Sequence, residues 1–175
     1  SLASSSRRAR SAVDRAAVSG WLMAGVGSGA ASIIIQMEAL PGEVYGSVQV
    51  RAMDRYAIDD CGIPGYALMQ RAAQAALALL RCEWPSARRI AVLCGAGNNG
   101  GDGYVLARLA LAVGLEVQLA ALVDPARLSG DAAQAWKDFH RAGGLCQEFT
   151  DAMLATADVI VDALLGTGLD RPVTG

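Results

Sequence analysis

An uninterrupted apolar run, Ile90-Ala91-Val92-Leu93-Cys94, leads directly into Gly95-Ala96-Gly97-Asn98-Asn99-Gly100-Gly101-Asp102-Gly103, and an apolar helical pattern follows. A short apolar run of this kind reads as a strand buried on both faces of a parallel sheet. The glycines permit backbone conformations barred to other residues and close approach by a ligand. At a helix N-terminus such a turn aims several N–H groups at one point, where the helix dipole favours an anion, and a phosphate is the natural guest. Gly95, Gly97 and Gly100 satisfy the spacing G-x-G-x-x-G. The acid expected about twenty residues further on, at the end of the second strand, has Asp124 as its nearest candidate, a poor fit. No Lys-Ser or Lys-Thr follows the glycines, which excludes a P-loop.

Asn98, Asn99 and Asp102 exceed what phosphate binding requires. Asn tolerates left-handed backbone, and Asp102 is placed to cap the following helix. A second glycine loop follows the apolar run Asp158-Val159-Ile160-Val161-Asp162: Gly166-Thr167-Gly168-Leu169-Asp170-Arg171-Pro172. Loops at the carboxyl ends of parallel strands share one sheet edge, so both can face one site. A carboxylate ending an apolar run needs a partner, because burying an unpaired charge is costly. For Asp162 that partner is either nearby amides in a capped turn or a cation. Asp162 and the Asn99 amide oxygen, with loop carbonyls, suit a hard cation, since histidine and thiolate ligands are absent from both loops.

The surrounding pattern predicts an α/β domain. Ser47 is a plausible N-cap for a helix through Val50, Met53 and Ala57, stopped by Gly62 and Pro64. A second helix over 66–81 carries Met69, Ala73, Ala76, Leu77 and Leu80 on one face. Alternation continues with a helix over 103–113, a strand over 116–122, a helix from Ser129 or Gly130 to Gly143, a short strand over 145–149, and a helical turn over 151–157. With 175 residues there is room for one domain, and 53% hydrophobic against 18% charged residues excludes general disorder. Fifteen basic against seventeen acidic residues leave a net charge of −2, with no basic face for nucleic acid. Four scattered cysteines and one histidine make a structural zinc site untenable, and buried reduced thiols in a cytoplasmic protein are expected. Residues 1–40 read as a poorly ordered or targeting-like extension, basic at its start and then uncharged from Ala16 to Met37. The glycines and serines of that stretch make it a poor membrane span.

GAGNNGGDGYVLARLA and VDALLGTGL together closely resemble the NAD(P)H-hydrate epimerase family, and VQVRAMDRYAIDDCGIPGYALMQRAA resembles the two helices that open its domain. The resemblance implies a Rossmann-like three-layer αβα domain with a mostly parallel sheet over 41–175, its carboxyl-terminal strands missing. It implies interconversion of the R and S forms of hydrated NADH or NADPH, a repair of nicotinamide nucleotides, in a homodimer with no nucleic-acid or membrane partner. By resemblance, Asn98, Asn99, Gly100, Gly101 and Asp102 contact substrate, as do Gly166, Thr167, Gly168, Leu169, Asp170, Arg171 and Pro172. Asn99 and Asp162 ligate a potassium ion, and Asp162 is the candidate catalytic acid or base. Family members continue for several more strands, in some cases into an ADP-dependent dehydratase half, so residues 1–175 alone are expected to turn over poorly. Relatives among decapping-enhancer and apolipoprotein-binding proteins make a non-catalytic binding module the competing expectation.

Overall fold

The computed structural model describes residues 22–25, as backbone, and 45–166. Strands β1 (Leu22–Gly25), β2 (Arg89–Cys94), β3 (Glu116–Ala121), β4 (Cys146–Gln147) and β5 (Val159–Ala163) form one sheet in the order β1-β5-β2-β3-β4. β2, β3, β4 and β5 run parallel, with Leu93 beside both Ala120 and Asp162. β1 runs antiparallel along β5, with Leu22 beside Asp162. Part of the segment expected as an extension therefore covers the free edge of β5; the remainder of 1–40 lies outside the described residues.

The helices are α1 (Ser47–Arg55), α2 (Gly65–Glu83), α3 (Asn98–Ala112), α4 (Gly130–Arg141) and the short α5 (Asp151–Thr156). α1 starts one residue earlier than its expected cap would place it: Gly46, not Ser47, is the cap residue, and the Gln49 side-chain oxygen accepts the Gly46 N–H at 2.8 Å. It runs on into a π-helical turn, Tyr56–Asp60, before Gly62 ends it at φ +64°. On α2 the expected stripe of Met69, Ala73, Ala76, Leu77 and Leu80 is buried.

Chain direction sets the layers. β2-α3-β3 and β3-α4-β4 step one way across the sheet, and the right-handed crossover rule puts their helices on one face. β4-α5-β5 steps back past β2, so the same rule assigns α5 to the other face. α2, α3 and α4 pack together as the thick helical layer, enclosing Ile90, Val92, Leu106, Leu119, Val159 and Val161. Tyr104, Trp136 and Phe139 plug it, with the Tyr104 and Trp136 rings edge to face at 5.4 Å. Such a pair contributes about 1 kcal/mol beyond its buried area.

Two further expectations fail here. α3 begins at Asn98, not Gly103, so Asn98 through Asp102 form its first turns and Asp102 caps nothing. Glycine inside a helix costs about 1 kcal/mol against alanine; close packing offsets that. A β-carbon on Gly103 would stand 2.7 Å from the Ala163 β-carbon and 2.8 Å from the Cys94 sulfur. The second correction concerns the thiols: Cys94 alone is buried, while Cys61, Cys82 and Cys146 are exposed and free. They lie at the ends of elements or in turns, where the periodic apolar pattern no longer predicts burial.

Candidate active site

The strand order reverses at β2. From β2 the chain moves through β3 to β4, while β5 lies on the other side of β2. In open parallel sheets this reversal opens a crevice at the carboxyl ends of the two strands concerned, where ligands bind. The turns leaving β2 and β5 touch there. The Gly95 N–H donates to the Ala163 carbonyl at 3.0 Å. Gly95 also lies so close to the Leu164 carbonyl that a β-carbon would overlap it. Gly166 rests against Asn99, where an added β-carbon would stand 3.1 Å from the Asn99 β-carbon.

The four neighbours in Asn98–Gly101 have different surroundings. Asn98 is exposed and Asn99 half-buried, its amide nitrogen buried and without a hydrogen-bond partner among the described residues. Gly100 packs on the Gly95 carbonyl. A β-carbon on Gly101 would stand 2.6 Å from the Met69 methyl and 3.1 Å from the Ala132 α-carbon. Gly101, expected to contact substrate, thus sits where α2, α3 and α4 converge, a packing position set by the need for close helix approach. Residues 167–172, comprising Thr167, Gly168, Leu169, Asp170, Arg171 and Pro172, lie outside the described residues.

Asp162 is half-buried, and its Oδ1 accepts the Leu164 N–H at 2.9 Å. The capped turn is thus present, yet it uses one oxygen and leaves the other for a second partner. Register puts the Asp162 and Leu93 side chains on the sheet face opposite Val92, Cys94 and Ala163, which pack toward α3. Each of these two groups is of a kind that a hard cation takes: among the described residues the Asn99 amide has no hydrogen-bond partner and Asp162 has one carboxylate oxygen uncommitted. Among the described residues no group of three or more His, Cys, Asp or Glu lies together.

Asp102 has an environment that the sequence does not announce. Burial pushes its carboxyl up to about 8, with the negative charge of Asp54 on α1 adding to the shift. Asp54 is itself raised by burial. A protonated Asp102 can donate a hydrogen bond at neutral pH, which an ionised carboxylate cannot. Sequence reasoning misses Asp54; only its position one turn before Ala57, which is fully buried, hints that it faces inward. The Cys94 thiol is likewise pushed up by burial, which leaves it inert as a nucleophile. His140 is exposed and stacks on Trp136, the ring centroids 5.7 Å apart.

The Asp102 shift has a stability consequence. A carboxyl raised in the folded state favours folding most below its unfolded value near 3.8, and that contribution is lost as pH rises toward 8. Asp102→Asn removes the penalty: its melting temperature should exceed the parent's at pH 8 and converge with it near pH 4. The gain at pH 8 is bounded at on the order of 5 kcal/mol, because Asp102 keeps part of its surface in water. Asp138, lowered by the Tyr66 hydroxyl and Gln134, and Asp158, lowered by the Arg88 and Arg89 N–H groups, act oppositely. Their contribution is lost as pH falls below the ordinary carboxylate range. Melting curves from pH 4 to 8 check this; identical pH profiles for parent and variant would refute it.

The chain is 46% identical over 131 residues to the bifunctional NAD(P)H-hydrate repair enzyme Nnr of Escherichia coli, a match covering 75% of this chain and 25% of that one. It is 36% identical over 135 residues to the NAD(P)H-hydrate epimerase of Limosilactobacillus fermentum, covering 74% and 62%. The chain therefore spans about a quarter of the first relative and under two thirds of the second. The crystal structure of yeast ynu0 superposes with a TM-score of 0.67 at 20% identity, covering 75% of this chain and 60% of that one, which shows the same fold. Residues 65–175 match the family model described as YjeF-related protein N-terminus, and the chain belongs to that family.

Proposed function

We propose that the chain is an NAD(P)H-hydrate epimerase, interconverting the R and S forms of hydrated NADH and NADPH in nicotinamide nucleotide repair. One observation carries the proposal: at the β2/β5 crevice the Gly95 and Gly166 turns meet, with Gly166 against an Asn99 amide that has no partner among the described residues, and with Asp162, whose carboxylate is only half committed, near the end of β5 four residues earlier. A scaffold has no need of such uncommitted polar groups at strand ends. The relatives' names, epimerase and repair enzyme, point the same way.

The two forms differ at C6 of the reduced ring, a carbon bonded both to the added oxygen and to the ring nitrogen. Inversion there requires a bond to open and reform on the other face. A carboxyl beside C6 can protonate the hydroxyl as the C6–O bond breaks, the ring nitrogen supplying the electron pair. Water then adds to the opposite face and gives its surplus proton to solvent, from which the carboxylate is reprotonated. Asp162 is the candidate for that proton. Asn99 and Asp162 would hold a potassium ion, which supplies positive charge beside the substrate. The protonated Asp102 adds a donor on the same helix turn. The amino-terminal turn of α3, from Asn98 onward, would offer phosphate oxygens its backbone N–H groups.

The proposal extends to a homodimer, to which the exposed Val48 and Tyr56 of the α1 region lend an apolar surface. It also extends to a place as the amino-terminal half of a bifunctional epimerase and ADP-dependent dehydratase, the Nnr relatives being bifunctional. Three exposed free thiols suit the reducing cytoplasm. Among the described residues no helix is long and apolar enough to cross a membrane.

Thermal shift with hydrated NADPH, with and without potassium, tests the reading. Binding at ten times Kd adds about 1.4 kcal/mol to stability, and the stabilisation should require both ligand and ion. No response to either, together with tight capture of a protein partner, would establish the binding module instead.

A further inference from the structure

On the same sheet edge, across the end of β3 from the crevice, lies an open cleft of about 420 Å³ lined by Ala96, Leu122, Val123, Asp124, Arg127 and Leu128. It borders the first glycine turn only through Ala96 and is lined by neither Asn99 nor Asp162. Ala96 contributes the wall shared with the first turn; the other residues follow β3 through the short 3₁₀ turn Pro125–Arg127. Its volume suits a nucleoside.

Each wall offers something different. Leu122 is 59% exposed, an apolar surface on which a flat heterocycle can lie. The Asp124 Oδ1 accepts the Ala126 N–H at 2.9 Å, holding the turn that carries Arg127. Arg127 is exposed and forms no ion pair with the other described residues. A guanidinium offers five donors in a planar fork matched to phosphate oxygens. In a β-turn-α-β dinucleotide unit, the residues after the second strand face the adenosine ribose: an acid there accepts the 2′-hydroxyl, while an arginine accommodates a 2′-phosphate. Asp124 has one oxygen committed to its own turn, whereas the donors of Arg127 are free.

We infer that this cleft receives the adenosine half of the substrate and that Arg127 pairs with its 2′-phosphate, so that the chain favours hydrated NADPH over hydrated NADH. The inference rests on the epimerase reading for the identity of the whole substrate, yet the cleft itself is testable without the nicotinamide half. Adenosine 2′,5′-bisphosphate and 5′-AMP are titrated into the chain by calorimetry, at fixed ionic strength, alongside Arg127→Ala and Asp124→Asn. The parent should bind the bisphosphate at least about tenfold more tightly than AMP, as expected for one charge-assisted pair. Arg127→Ala should erase that ratio with an unchanged melting temperature, because the side chain is exposed. Asp124→Asn, which removes a negative charge beside the phosphate, should preserve or widen it. Equal affinities in the parent, or a ratio that survives Arg127→Ala, would overturn the role of Arg127. Failure of both probes to bind would overturn the cleft as an adenosine site. The potassium-dependent thermal shift with hydrated NADH, which has no 2′-phosphate, judges the underlying reading separately, so either can fail alone.

Discussion

Replacing Gly95 by alanine should cost about 3 kcal/mol of stability and abolish the nucleotide-dependent thermal shift. The added β-carbon falls on the Leu164 backbone carbonyl, and neither partner can yield. Leu164 follows Ala163, whose carbonyl accepts the Gly95 N–H at 3.0 Å and whose strand is paired to β2 through Cys94. Moving Gly95 away breaks that bond and lifts it from Gly100, which packs on the Gly95 carbonyl. The relief would come from parting the two turns, which is where substrate is expected. Gly97→Ala, two residues on, is the control: its φ is −96° and a β-carbon meets nothing within 4 Å. That variant should lie within about 0.5 kcal/mol of the parent. Chemical denaturation of both decides it, and a Gly95→Ala protein as stable as Gly97→Ala would show that contact between the turns contributes nothing.

The contrast between those glycines also shows how far a sequence can be read. Strand β2 is legible because five consecutive apolar residues are too few for a helix, and the glycines after them end the element. The α2 stripe is legible because Met69, Ala73, Leu77 and Leu80 recur at the helical period. The meeting of the two turns follows from topology alone, since both leave carboxyl ends of parallel strands. The start of α3 is not legible, because helix propensity argues against Asn-Asn-Gly-Gly-Asp-Gly and tertiary packing overrides it. Gly101 against Met69 and Ala132, and Gly103 against Cys94 and Ala163, are contacts between residues distant in the chain. No local window contains them. The Asp54 and Asp102 pairing is hidden for the same reason, one carboxylate lying on α1 and the other on α3. Arg127 is invisible because a lone arginine in a loop carries no pattern; the cleft around it is what distinguishes it.

Asp162→Asn should separate fold from chemistry. Asparagine has the same shape and keeps an oxygen for the Leu164 N–H, so the turn survives and the melting temperature should stay within about 2 °C of the parent. The negative charge and the ionisable proton are lost. In a chain as long as the epimerase relatives, R-to-S conversion should fall by about 10²–10⁴, the usual worth of a positioned acid or base. In the present chain, the potassium requirement of the thermal shift should vanish, because the uncommitted carboxylate oxygen becomes a neutral amide. Asp162→Ala supplies the complementary result: it loses the turn bond as well, adding about 1 kcal/mol of destabilisation to the same loss of activity. Conversion is followed by NMR of the two C6 epimers. Near-parental conversion by Asp162→Asn would remove this carboxylate from the reaction and pass the proton to another group at the crevice, with Asp102, protonated at neutral pH, the first to be tested.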